Sequence, residues 1–307
     1  MKRNGCTQAF TLTELIVAIS VLTLLTTFVA QLVNNATIVT THSRKRVDAD
    51  TQARLVFDRM AGDFAKMLKR KDVDYLFCKQ AGNDRMFFYS EAPAYYDGAS
   101  SSIKPRSSMA LLGYRINSHY QIERLGKQLS WGGDSGTQPG GAIFLTYPAA
   151  TAAVPKPTPL PASLLENNWS GAIGSAPGYD GSDIDYHVLA DQVCRFEFCF
   201  QMKDGTYALD PTGSSGTTIH SLKDVVAVVV GLVVLDSTSQ QTTDISKVSK
   251  AFDDPTVAKI TANPPVLMAE SWRQQLLQPG FAGAAGIPQA AASQIRIYER
   301  YLPLNVQ

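Results

Sequence analysis

Residues 9–33, AFTLTELIVAISVLTLLTTFVAQLV, place one acidic residue, Glu14, at the start of an otherwise uncharged apolar run. Residues 15–33 are 19 in number and include no charge, no proline and no glycine. A helix needs about 20 predominantly apolar residues to cross the hydrocarbon core of a bilayer. A core helix of a soluble domain is seldom apolar on every side. The run therefore predicts one membrane-spanning helix.

A short basic segment precedes this run. Residues 1–9, MKRNGCTQA, carry Lys2 and Arg3 but are too few for a secretory signal peptide, and no A-x-A cleavage site follows the apolar residues. Residues 10–14, FTLTE, together with the basic leader and the apolar helix, resemble the F-T-L-x-E start of type IV pilins and type II secretion pseudopilins.

The resemblance implies how the chain is processed. A prepilin peptidase would cut between Ala9 and Phe10, and the new amine of Phe10 would be methylated. The family usually has glycine before the cut, where this chain has Ala9. Glu14 would become the fifth residue of the mature chain and would face the Phe10 amine of a neighbouring subunit in an assembling filament.

The resemblance also implies a location and partners. The chain would cross the bacterial inner membrane once, with its globular part in the periplasm or on a surface filament. The partners would be the prepilin peptidase, other pilin or pseudopilin subunits, an inner-membrane assembly platform and membrane lipid. Residues 11–14 are at the same time a capping box, T-x-x-E, in which Thr11 and Glu14 satisfy amides at a helix start. The two interpretations are compatible.

Beyond Val33 the helical pattern continues and becomes amphipathic. It predicts one helix from Phe10 to about Lys71, with a membrane-spanning half at 10–33 and a half at 34–71 that packs on a globular domain. The apolar side chains of the second half recur at helical spacing, at Ala49, Ala53, Val56, Phe57, Met60, Phe64 and Leu68.

Three consecutive cations, Arg44, Lys45 and Arg46, follow the apolar run. Lys2, Arg3 and the terminal amine balance them on the other side, so charge counting does not orient the helix. The leader alone places the globular part outside the cytoplasm. The three cations either contact anionic lipid or belong to a solvated helix face.

Residues 72–307 read as a β-rich domain, which makes the fold class α+β. Short runs rich in aromatic and β-branched residues, separated by turn residues, predict an antiparallel sheet. The predicted strands are 84–89, 109–115, 120–124, 142–147, 193–200, 225–235 and a closing strand at 294–301. The strand at 225–235 is apolar enough to be buried on both faces. Residues 148–181, rich in Pro, Gly and Ala, predict a functional or mobile loop.

Two short helices are predicted at 244–252 and 266–277, the second with Trp272 and Leu276 on one side. The order of a long helix, a two-part sheet and the late strand pair resembles the larger J-type minor pseudopilins.

The formal charge of +1 changes to −1 if Lys2 and Arg3 leave with the leader, and such a chain has no electrostatic footprint for nucleic acid. Cys6 would leave as well. Of the remaining cysteines, Cys194 and Cys199 are five apart in a predicted strand, which places them on opposite faces.

No arrangement typical of catalysis is present, and the four histidines are too scattered to suggest a zinc site. We therefore predict neither an enzyme nor a required cofactor. One candidate metal site remains, a carboxylate-rich loop with Asp180, Asp183 and Asp185 that could give oxygen ligands to calcium. Solvated turn aspartates are the alternative.

Two function classes follow. The first is a minor pilin or pseudopilin, a structural subunit that joins or primes a type IV pilus or a type II secretion pseudopilus. The second is a single-pass anchored binding or sensor protein that forms no filament. The FTLTE motif favours the first, because a plain anchor has no use for a glutamate at the bilayer edge.

Overall fold

The computed structural model describes residues 11–69, 75–92, 109–128, 186–210 and 222–304. The predicted strand 142–147 and the predicted loop 148–181 lie outside these residues. The chain divides into two compact units, residues 1–47 and residues 48–307.

One long helix, α1 (Leu12–Ala65), begins the described chain. From Ala49 onward it buries the predicted apolar face, with Ala53, Val56, Met60 and Phe64 all buried in the core of the second unit. The prediction of an amphipathic helix packed on the globular domain is confirmed here.

The helix ends at Ala65, earlier than the predicted Lys71. The chain leaves the helix because its backbone pairs with a neighbouring strand instead. The Leu68 N–H donates to the Tyr89 carbonyl at 2.9 Å, and the Lys66 carbonyl accepts from the Glu91 N–H at 3.0 Å. These hydrogen bonds replace helical ones, so Leu68 belongs to the edge of the sheet and not to α1.

The first sheet is antiparallel, as predicted, and its five strands are hydrogen-bonded in chain order. The strands are β1 (Leu76–Cys78), β2 (Arg85–Ser90), β3 (Ala110–Ile116), β4 (Ile122–Gln128) and β5 (Tyr186–Ala190).

Strand β4 starts two residues later than predicted. Tyr120 has a φ of 57°, a left-handed conformation that belongs to a turn. The Asn117 side-chain oxygen accepts from the N–H groups of His119 and Gln121, each at 3.0 Å, and holds that turn.

The second sheet is also antiparallel, with the order β7-β6-β8-β9. Its strands are β6 (Val193–Met202), β7 (Tyr207–Ala208), β8 (Val225–Val234) and β9 (Arg296–Pro303). Nine of the ten residues of β8 are buried, which confirms a strand covered on both faces. A 3₁₀ turn, Leu222–Asp224, leads into it.

Six short helices follow β8: α2 (Ser237–Thr242), α3 (Ile245–Lys250), α4 (Val257–Ile260), α5 (Met268–Leu276), α6 (Phe281–Ala285) and α7 (Gln289–Ala292). Helices α3 and α5 are the two that the sequence predicts. The side chains of Asp236, Asp244 and Thr256 accept backbone N–H bonds at the starts of α2, α3 and α4.

Two apolar layers hold the second unit together. On one side, residues 49–64 of α1 pack against both sheets, and the rings of Phe64 and Phe88 stack with centroids 4.5 Å apart. On the other side, the short helices cover the second sheet. Gly231 lets α5 approach β8 closely, because a Cβ there would lie 3.0 Å from Cζ3 of Trp272.

The prediction that Cys194 and Cys199 face opposite sides is wrong. Both are buried on the face that the short helices cover. Val193 pairs with Val234 and Arg195 with Val233, so Cys194 is the extra residue of a β-bulge, which shifts the alternation by one. Among the described cysteines none forms a disulfide.

Candidate membrane and assembly segment

The first part of α1 exposes an apolar surface of unusual extent. All residues from Thr11 to Thr41 are exposed, including Leu15, Phe28 at 59% and Leu32 at 70%. A contiguous apolar surface of this size marks a site that contacts protein or membrane. In the described part of the chain, α1 is the one helix long and apolar enough to cross a membrane, judged by length and composition.

The hydroxyl groups of residues 20–41 are satisfied within the helix. Each donates to a backbone carbonyl three or four residues earlier, at distances from 2.7 to 3.0 Å; the donors are Ser20, Thr23, Thr26, Thr27, Thr37, Thr40 and Thr41. An unpaired hydroxyl costs several kcal/mol in an environment without water. Because these hydroxyls are paired within the helix, the segment can lie in lipid or in a protein core. The Ser and Thr side chains lower the mean hydropathy of the segment, but they are compatible with an environment without water.

Glu14 and Thr11 form the predicted capping box. The Thr11 N–H donates to Glu14 Oε2 at 3.0 Å, and the Glu14 N–H donates to Thr11 Oγ1 at 3.3 Å. The Thr11 hydroxyl also donates to Oε2, at 2.9 Å. The carboxylate thus lies at the helix N-terminus, where the dipole favours a negative charge. Both residues are exposed, so an external cation can reach the carboxylate.

The other end of the exposed segment carries the three cations. Arg44 and Arg46 are exposed and Lys45 is half-buried. Between Glu14 and Arg44 the chain has 29 residues and no Asp, Glu, Lys or Arg. The two charged ends therefore bracket an uncharged helical segment.

Within the second unit, residues 48–65 of α1 are held to the two sheets by polar contacts that the sequence analysis did not identify. Asp63, which is 2% exposed, accepts from Arg124 Nη2 at 3.0 Å, and it also accepts from Arg124 Nε and from the Tyr114 hydroxyl. Asp58 accepts from Arg300 of β9 on the surface. The sequence could not show that Asp63 is buried and Asp58 is exposed, because both are charged residues outside the apolar repeat of the helix.

A second buried ionic cluster joins the two sheets. Lys79 Nζ donates to Glu197 Oε2 at 3.0 Å and contacts Asp84, while Arg195 lies 3.0 Å from the other Glu197 oxygen. Burial raises the pKa of Glu197, and Lys79 opposes that shift. The groups bind one another, so the cluster is a connection between β1, β2 and β6. In the part of the chain that the structure describes, no group of three His, Cys, Asp or Glu side chains could hold a metal.

Several predicted site residues lie outside the described residues. They are Ala9 and Phe10 at the predicted cleavage and methylation site, and Asp180, Asp183 and Asp185 of the predicted calcium loop. Their roles stay predictions.

Comparison with known proteins finds distant structural likeness. No protein-family model matches the chain, and no curated protein matches it. Among solved structures, a type IV-like pilin from Thermus thermophilus is similar over 82% of this chain and 93% of its own, with 10% sequence identity and a TM-score of 0.30. A likeness at that score and identity identifies no family for this chain.

Proposed function

We propose that this chain is a minor pilin or pseudopilin: a structural subunit that inserts in the bacterial inner membrane and then joins or primes a type IV pilus or type II secretion pseudopilus. A prepilin peptidase removes residues 1–9 and the new Phe10 amine is methylated. Other pilin subunits and an inner-membrane assembly platform are its partners. The β-rich unit lies in the periplasm or on the filament surface.

The observation that carries this proposal is an exposed, uncharged helical segment headed by a capped and accessible glutamate. The apolar surface of residues 15–33 supports insertion in a membrane. Such a surface is also suited to transfer between lipid and a bundle of like helices, because its hydroxyls need no external partner.

Glu14 is the feature that a plain anchor does not need. A charged side chain well inside a bilayer costs about 2.5–3.5 kcal/mol on insertion scales. The hydrogen bonds from Thr11 offset part of that cost. A cation from a neighbouring subunit, the Phe10 amine, would offset the rest as the helix leaves the headgroup region. Assembly therefore neutralises a charge that a solitary anchor would leave exposed.

The test separates helix capping from pairing between subunits. Glu14→Gln keeps the side-chain shape and an oxygen for the Thr11 N–H but removes the charge. Thr11→Val is the matched control, because it removes the hydroxyl cap and keeps the charge. Each variant is expressed with its own assembly genes, and membrane insertion, leader cleavage and recovery in sheared filament or co-purified complex are measured.

We expect both variants to insert and to be cleaved. Glu14→Gln should fall sharply in filament or complex, and Thr11→Val should remain close to the parent chain. Recovery of Glu14→Gln equal to the parent would refute a role in assembly and leave Glu14 as a helix cap. That outcome would favour the anchored binding or sensor protein.

A further inference from the structure

The cations Arg44, Lys45 and Arg46 lie at one level of α1. Successive residues of a helix are rotated by about 100° and advance by 1.5 Å. Three consecutive cations therefore spread over about 200° of the helix circumference within about 3 Å of its length. They form a partial ring around the axis, which we call the basic collar, and not a stripe along one face.

A collar and a stripe suit different partners. A stripe is the arrangement that contacts a neighbouring helix or a sheet along the axis, as the buried face beyond Ala49 does. A collar places positive charge on several sides of the helix at one position along its axis. That arrangement fits a flat negatively charged surface that the helix crosses. Arg44 and Arg46 are exposed, so their guanidinium groups are available to such a surface.

The position of the collar matches the thickness of a membrane. The 29 residues between Glu14 and Arg44 include no Asp, Glu, Lys or Arg and would span about 43 Å as a helix. A bilayer with its headgroup regions is about 40–45 Å thick. With Glu14 at one face of the membrane, the collar reaches the phosphates of the opposite face.

We propose that the basic collar binds anionic phospholipid headgroups at the membrane face opposite Glu14. The inference rests on the membrane-spanning role proposed above. Arginine suits this partner because its planar guanidinium donates two parallel hydrogen bonds to a phosphate. The acidic residues four positions beyond the two arginines, Asp48 and Asp50, accept hydrogen bonds from Gln192 and Tyr298.

The test measures lipid preference in the full-length chain. The parent protein is reconstituted in phosphatidylcholine vesicles that contain a trace of spin-labelled phosphatidylglycerol or of spin-labelled phosphatidylcholine. Electron paramagnetic resonance gives the fraction of each lipid that the protein immobilises, and the ratio gives the relative affinity. At about 1 kcal/mol per cation near an anionic surface, each cation increases the preference for phosphatidylglycerol by up to about fivefold.

The triple variant Arg44→Gln/Lys45→Gln/Arg46→Gln isolates the collar, because Lys2, Arg3 and every other charge stay the same. We expect the parent to prefer phosphatidylglycerol severalfold, the triple variant to lose most of that preference, and the parent's preference to weaken in 0.5 M salt. Arg54→Gln, an exposed cation ten residues further along α1, is the control and should match the parent.

Two contrary outcomes are distinguishable. Equal preference for phosphatidylglycerol in the parent and the triple variant, with both proteins floating with the vesicles, would overturn the basic collar and leave the membrane span intact. Failure of the parent to float or to immobilise any lipid would overturn the membrane span, and the collar with it.

Discussion

Asp63→Asn should destabilise the second unit far more than the same change at Asp58. Asp63 is 2% exposed, and its carboxylate accepts two hydrogen bonds from the fully buried guanidinium of Arg124. Burial, together with the neighbouring Asp63 charge, raises the pKa of Tyr114 well above its usual value, so that hydroxyl keeps its proton and donates to Asp63 as well. Asp63 thus connects α1 to β3 through Tyr114 and to β4 through Arg124.

The magnitude follows from what the substitution leaves behind. The asparagine amide fits the same space but carries no charge, so Arg124 stays buried without its counter-ion. Removal of one partner of a buried ion pair costs about 3–5 kcal/mol. For a unit of this size that loss corresponds to a decrease in melting temperature on the order of 10 °C.

Asp58 provides a control on the same helix. It also pairs with an arginine of a strand, Arg300, but the two side chains are 58% and 42% exposed. Exposed ion pairs contribute about 0–1 kcal/mol. Asp58→Asn should therefore change the free energy of unfolding by less than about 1 kcal/mol.

The assay is thermal and denaturant unfolding of the detergent-solubilised full chain, followed by far-UV circular dichroism and by tryptophan fluorescence, to which the buried Trp272 contributes. The double variant Asp63→Asn/Arg124→Met removes the uncompensated charge and should recover part of the lost stability. The reasoning is refuted if Asp63→Asn costs no more than Asp58→Asn, or if Arg124→Met adds a further loss to Asp63→Asn.

Three further predictions concern packing, thiols and the division of the chain. Gly231→Ala should lower the free energy of unfolding by about 1–3 kcal/mol in the same assay, because the new methyl group would contact Met268 and Trp272 too closely. Gly62→Ala lies on an open part of α1 and should instead stabilise the chain by up to about 1 kcal/mol. Burial raises the pKa of the Cys194 and Cys199 thiols to about 12, so neither should be alkylated at pH 8 until the chain is unfolded; fast native alkylation of both would contradict their burial. A fragment that begins between residues 34 and 50 should be soluble, folded and monomeric by circular dichroism and light scattering, and aggregation of every such fragment would show that residues 15–33 pack within the globular unit.

The sequence predicted those parts of the fold that depend on periodicity. The repeat that includes Val56, Met60 and Phe64 gave the buried face of α1, and the apolar run at 225–235 gave the central strand β8. Both patterns are long enough to show which faces are buried: one face of the helix, and both faces of the strand. The capping box at Thr11 and Glu14 was predictable for a related reason, because its hydrogen bonds join residues that are close in sequence.

The features that the sequence did not predict depend on contacts between distant residues. Asp63 and Arg124 are 61 positions apart, and nothing in either local pattern shows that the two are buried together. The end of α1 depends on pairing between Leu68 and Tyr89. The face of Cys194 depends on a bulge that only the register with β8 shows. Helices α4, α6 and α7 have four or five residues each, about one helical turn, which is too short for a helical period to appear.

The most direct test of the account is the N-terminus of the chain in membranes of a host that has an active prepilin peptidase. Intact-mass and N-terminal peptide analysis of the membrane-extracted protein should show a chain that begins at Phe10, with the mass of one added methyl group on its amine. The denatured chain should then react as three thiols, Cys78, Cys194 and Cys199, because Cys6 has left with the leader. An abundant form that retains residues 1–9 and four reactive thiols would contradict the proposal that this protein is a processed pilin subunit.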